Sequence, residues 1–121
     1  MPVQRALIQL LQEIDASLDL MEAVDARAMG PLWPGLLARR RRAAILLRHR
    51  ITRARPRPPA ARGPGDGPIT ATRLVAQESR LLALFDAAAR LPDLSDDLRQ
   101  VLRGLRNEVE QARQVLAHLP S

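Results

Sequence analysis

Three carboxylates, two imidazoles and a run of guanidinium groups are the side chains best placed for chemistry: Glu13, Glu78 and Glu108; His49 and His118; and Arg39-Arg40-Arg41-Arg42. A carboxylate-bridged pair of metal ions inside a helical bundle needs a Glu from each of two helices and a Glu-x-x-His pair from each of two others. Neither His49 nor His118 has a Glu three residues before it. Three separate carboxylates do not make such a site, so no metal is expected. The two histidines read as solvent-facing or helix-terminal residues. Cysteine is absent, which removes thiolate zinc sites, iron–sulfur clusters and thiol nucleophiles. No Ser or Thr stands in a strand-to-helix elbow, and the stretch GPGDG is not followed by Lys-Ser/Thr, so hydrolase and phosphate-loop patterns are both missing. The chain reads as a non-enzyme with no catalytic residue and no cofactor.

The arginines offer a different chemistry. The net charge is +6, every basic residue is Arg, and the charge is unevenly placed. From Ala26 to Gly65 there are 11 Arg and no acid, whereas the remainder holds 8 Arg against 13 acids. Arg39, Arg41, Arg42, Arg48, Arg50, Arg53, Arg55 and Arg57 form a candidate polyanion-binding set within residues 39–62. Its affinity would be salt-dependent and blind to sequence. Trp33 and Phe85 are the two aromatics and Tyr is absent, so base stacking has almost nothing to work with. No nucleic-acid motif accompanies the charge. In an Ala- and Arg-rich chain, GC-rich coding accounts for the choice of Arg over Lys before selection for guanidinium chemistry does. Nucleic-acid or phosphate binding is therefore the alternative function.

Four segments must position these groups. Val3, Leu7, Leu10, Leu11, Ile14, Leu18, Met21 and Val24 recur at spacings of three and four, which predicts a helix over about 3–25. A second helix is expected over about 32–53, with Leu36, Leu37, Ala43, Ala44, Leu47 and Ile51 on its inner stripe. Four successive arginines at ~100° each sweep about 300° of that helix, so the run cannot lie wholly in solvent. Arg40, three residues before Ala43 and seven before Leu47, is the one nearest the stripe and must snorkel or find a carboxylate. The third helix, about 70–91, places Leu74, Leu81, Leu82, Phe85, Ala88 and Ala89 on one face, with Thr70 as a cap. Glu78 shares that face, and the reading pairs it with Arg40 in a buried or half-buried ion pair. The fourth, about 95–118, carries the most regular stripe: Leu98, Leu102, Leu105, Val109, Ala112, Leu116 and Leu119. Asp93 or Ser95 serves as its N-cap, and Asp96 and Asp97 suit the first turn.

Residues 52–68 hold five Pro and three Gly, so a flexible, extended connection is expected over 54–68, longer than most helix–helix links. The length of 121 residues suits one domain with one core. Matched helix lengths and two short links predict an all-α, antiparallel up-down-up-down four-helix bundle. No apolar run approaches the roughly 18 residues of a membrane span. The N-terminus turns acidic too early for a signal peptide, so a soluble, cytoplasmic protein with no membrane partner is expected.

The stretch ESRLLALFDAAARLPDLSDDLRQVLRGLRNEVEQARQVL resembles the last two helices of a bacterial family of unknown function with a ferritin-like four-helix bundle, best over residues 78–117. In that family a Glu stands seven residues before an aromatic, and a Leu-Pro link leads into an amphipathic last helix. Glu78, Phe85 and Leu91-Pro92 match. EAVDARAMGPLWPGLLARRRRAAILLRHRI is more loosely similar to the first two helices. The chain departs from the family in its proline-rich segment, where further helix is common, and in having Phe85 rather than Tyr. The resemblance implies a ferritin-like bundle and lends no activity. The expected role is a small binding, scaffold or stress-associated protein acting through protein–protein contacts, with a second copy or another protein as partner. Ile8, Leu20, Ile45 and Leu46, off the inner stripes, would supply an apolar patch for it.

Overall fold

The computed structural model describes residues 2–51 and 68–119, and these are all helix and turn. Four helices follow in order: α1 (Pro2–Ala23), α2 (Trp33–Arg50), α3 (Ala71–Ala89) and α4 (Asp96–Ala117), with a short 3-10 turn at Ala26–Ala28. The flexible connection expected over 54–68 lies outside the described residues except for Pro68, as do Arg53, Arg55 and Arg57.

Local chemistry sets the helix ends. The Thr70 hydroxyl accepts from the Arg73 amide at 3.1 Å and the Ser95 hydroxyl from the Leu98 amide at 3.2 Å, so each fills a donor left open in a first turn. Asp96 and Asp97 follow Ser95 in the first turn of α4, where carboxylates meet the positive end of the helix dipole. Between α1 and α2 the Asp25 carboxylate accepts from the Arg27 amide. Gly30 turns the chain at φ 86°, a backbone region that costs a side chain dearly. Pro34 then sits within the first turn of α2, where its missing N–H breaks no hydrogen bond.

Two apolar clusters stack along the bundle. The larger gathers Leu7, Leu10, Ile14 and Leu18 of α1 with Ala43 and Leu47 of α2, Leu81 and Phe85 of α3, and Leu102 and Leu105 of α4. The smaller gathers Met21, Met29, Trp33, Leu36, Leu74, Ala112 and Leu116. Their membership fixes the direction of each helix. α1 runs from the larger cluster to the smaller and α2 returns. α3 also begins at the smaller cluster, and α4 runs back to it. The four neighbouring pairs, α1–α2, α1–α3, α3–α4 and α2–α4, are all antiparallel, and α2 lies diagonally across from α3 and parallel to it.

The strict alternation expected from the sequence is corrected in this one link: the order is up-down-down-up. A short link between α2 and α3 would have forced them antiparallel. The long one between Ile51 and Pro68 instead joins opposite ends of the bundle, and every helix still keeps two antiparallel neighbours. No helix among the described residues is long and apolar enough to cross a membrane.

Candidate functional site

The middle of the bundle holds a buried polar cluster. Arg40 of α2 is 4% exposed, Glu78 of α3 is 2% and Ser17 of α1 is 1%. Two guanidinium nitrogens of Arg40 donate to the two carboxylate oxygens of Glu78, one at 2.8 Å and the other closer still. The first nitrogen also donates to Ser17 Oγ at 2.9 Å, and the Ser17 hydroxyl donates to the Ile14 carbonyl at 2.7 Å. The forked geometry of a guanidinium matches the two oxygens of a carboxylate. Each partner thereby satisfies the other in a place where a lone charge would be very costly. A void of about 10 Å³ beside Arg40, walled by Ala43, Leu105 and Val109, leaves room for a single water at most. The cluster is closed to any substrate.

Around this centre the seams between helices are laced by ion pairs. Arg41 meets Glu22 at 2.9 Å and Arg48 meets Asp15 at 2.7 Å across α1–α2. Arg42 meets Glu108 at 3.0 Å and Arg50 meets Asp97 at 2.5 Å across α2–α4. Arg106 meets Asp86 at 2.6 Å across α3–α4, which raises the guanidinium's pKa further above its ordinary value. On the α1–α3 seam Gln77 donates to Glu13 at 3.0 Å, with Arg80 nearby. On α4 itself Arg113 holds Glu110 at 2.9 Å. The hydrogen bond from Arg113 keeps the Glu110 carboxyl below the usual carboxylate range.

The candidate polyanion set is therefore divided. Arg41, Arg42, Arg48 and Arg50 are each engaged by a carboxylate of the same chain, with Arg41 and Arg42 keeping more than half of their side-chain surface in solvent. The reason lies in the neighbours: α2 has no acid of its own, but α1 and α4 carry acids at matching heights. Arg39 alone among the arginines of α2 has no carboxylate partner among the described residues. Glu13 and Glu108 are half-buried at different seams and neither joins Glu78. Among the described residues no group of three or more His, Asp or Glu is gathered as a metal site would require. His49 is exposed on α2, and His118 ends α4 with Nδ1 2.7 Å from the Gln114 carbonyl.

The apolar patch expected on α1 and α2 is also redrawn. Leu20 packs against the smaller cluster, because it stands seven residues after Glu13, on the flank of α1 that faces α3. Ile8, Ile45 and Leu46 are exposed, joined by Leu32. Ile8 stands seven residues before Asp15, and Ile45 stands between Arg41 and Arg48. Both thus lie along the α1–α2 seam that the two ion pairs straddle. Leu46 falls on the other flank of α2, toward α4, with Leu32 fourteen residues before it.

Sequence reasoning missed the buried polar residues Asp15, Ser17 and Gln77. Ser17 stands three after Ile14 and four before Met21, and Gln77 three after Leu74 and four before Leu81. Stripe spacing alone therefore marks both as inward. The chain matches no protein-family profile, no curated protein and no solved structure.

Proposed function

We propose that this chain is a non-catalytic helical-bundle protein that acts through protein–protein contacts, ferritin-like in its connectivity. Two antiparallel pairs joined by one long link between opposite ends is the arrangement that sets ferritin-like bundles apart from simple up-and-down ones. The resemblance to the bacterial family of unknown function is in keeping with that order. In metal-binding bundles the centre is filled by inward carboxylates; here a guanidinium, held by one carboxylate and a hydroxyl, fills the same space.

The observation that carries the reading is the state of α2. The chain's own acids engage five of its six arginines, while Ile45 and Leu46 on the same helix, and Leu32 at its N-cap, stand exposed. Each of those carboxylates lowers the net positive charge that α2 offers a phosphate, whereas Ile45 together with Ile8 of α1 places two exposed aliphatics along one seam, the kind of apolar surface that marks a contact. The expected outcome is reversible self-association through the α1–α2 seam, seen by sedimentation between micromolar and millimolar concentration and weakened in Ile8→Ser/Ile45→Ser. Random duplex DNA should pass unretarded at low salt. A strict monomer that retards DNA, and loses that property when Arg39, Arg41 and Arg42 become Gln, would overturn the proposal in favour of polyanion binding.

A further inference from the structure

We propose that the face between α2 and α4 is a docking site for an acidic amphipathic helix of a partner protein, an inference that rests on the interaction reading above. Leu32, Arg39 and Leu46 stand seven residues apart, so they form one stripe along α2. Leu32 is 60% exposed and Leu46 43%. A stripe with a seven-residue period is what a second helix reads when it lies alongside the first. On α4 the facing stripe includes Gly104 and Gln111, again seven apart. Of the four neighbouring helix pairs, α2 and α4 pack together least. They leave a groove of about 430 Å³ whose walls include Leu32, Gly35, Leu36, Arg39, Gln111 and Val115.

Glycine is the poorest helix former after proline, yet Gly104 sits in mid-helix, and nothing lies within 4 Å of where its Cβ would be. No neighbour within the chain among the described residues requires a glycine there. A helix laid across this face would approach the bare backbone closely.

Charge selects the occupant. Arg39 borders the groove and is the one α2 arginine without a carboxylate among the described residues. A second copy would bring its own uncompensated Arg39 to the same face, where like charges repel. Duplex DNA would gain nothing from Leu32, Leu36 and Val115. A helix with Leu or Ile at heptad spacing and Glu on the flank meets both needs: its apolar side chain fills the groove and its carboxylate takes Arg39.

The test uses the full chain and two synthetic helical peptides, one with Leu at heptad spacing flanked by Glu, the other with Gln in place of each Glu. Amide shifts and Trp33 fluorescence report binding. The Glu peptide should shift Gly35, Arg39, Gly104, Gln111 and Val115. The Gln peptide, and the Glu peptide against Arg39→Gln, should bind roughly three- to tenfold more weakly. Gly104→Leu should abolish binding without unfolding the chain, because the space in front of Gly104 is open. Equal affinity for both peptides, shifts confined to the Ile8 and Ile45 seam, no shift with either peptide, or pairing of two copies through α2 and α4 would each overturn the docking site. If self-association through Ile8 and Ile45 persists in those cases, the interaction reading stands without it. A DNA-binding monomer removes both.

Discussion

Replacing Glu78 by Gln keeps the shape of the side chain and removes its charge. Arg40 is 4% exposed, and its remaining oxygen contacts would be Ser17 Oγ and a single neutral amide oxygen. The guanidinium would then be a buried cation without a counter-charge, and breaking such a pair by removing one member costs about 3–5 kcal/mol. A chain of 121 residues has a total stability of about 6–18 kcal/mol at 0.05–0.15 kcal/mol per residue. Glu78→Gln should therefore remove a large share of it, and at roughly 4 °C per kcal/mol lower the melting temperature by about 12–20 °C. Arg40→Met/Glu78→Leu removes both charges and fills the same space with apolar atoms, so it should fall close to the native chain or above it. Urea unfolding followed by circular dichroism measures all the variants, including Arg40→Met alone. Additive losses in the double variant, or a loss below about 1 kcal/mol in Glu78→Gln, would refute the claim that the two charges hold each other in the core.

Three further outcomes are expected. Gly104→Ala should raise stability by about 1 kcal/mol in thermal unfolding, because a helix-interior glycine gives way to a better helix former in open space; destabilisation would show a clash the structure does not contain. Leu47→Ala, at a position 0% exposed where the larger cluster meets α2, should cost about 2–5 kcal/mol in urea. The Glu110 carboxyl should titrate below the roughly 4.3 of an ordinary Glu, because Arg113 donates to it. Its folded pKa is depressed, so its contribution is present at neutral pH and is lost as pH falls through that lowered value. Carbon-detected NMR titration would show this, and Arg113→Gln should return the midpoint to the ordinary range.

The helices were legible because their stripes are long. The expected 3–25, 32–53, 70–91 and 95–118 stand against Pro2–Ala23, Trp33–Arg50, Ala71–Ala89 and Asp96–Ala117, with differences of at most three residues at the ends. Arg40 could be singled out from its run because a helix turns about 100° per residue and only that position falls between Leu36, Ala43 and Leu47. The partners of Arg41, Arg42, Arg48 and Arg50 could not be read. Each lies on another helix, and the heights at which helices face each other are set by packing. The direction of α3 was hidden for a related reason: antiparallel neighbours arise equally from strict alternation and from one long return between opposite ends. The two are separated by the gathering of Leu74 and Trp33 into one cluster and by the packing of α1 on α3 and α2 on α4. Leu20 was misplaced because it shares the flank of Glu13, seven residues before it, and that α3 covers this flank is set by packing and not by the stripe of α1.

The arginine run divides into Arg40, buried and paired with Glu78, Arg41 and Arg42, paired at the surface, and Arg39, which has no carboxylate partner among the described residues. The most direct test of this division is the urea midpoint of Arg39→Gln measured beside that of Arg40→Gln. Arg39→Gln should stay within about 0.5 kcal/mol of the native chain, as surface substitutions do. Arg40→Gln should lose about 3–5 kcal/mol, as a broken buried pair does. Equal losses, or the larger loss at Arg39, would contradict it.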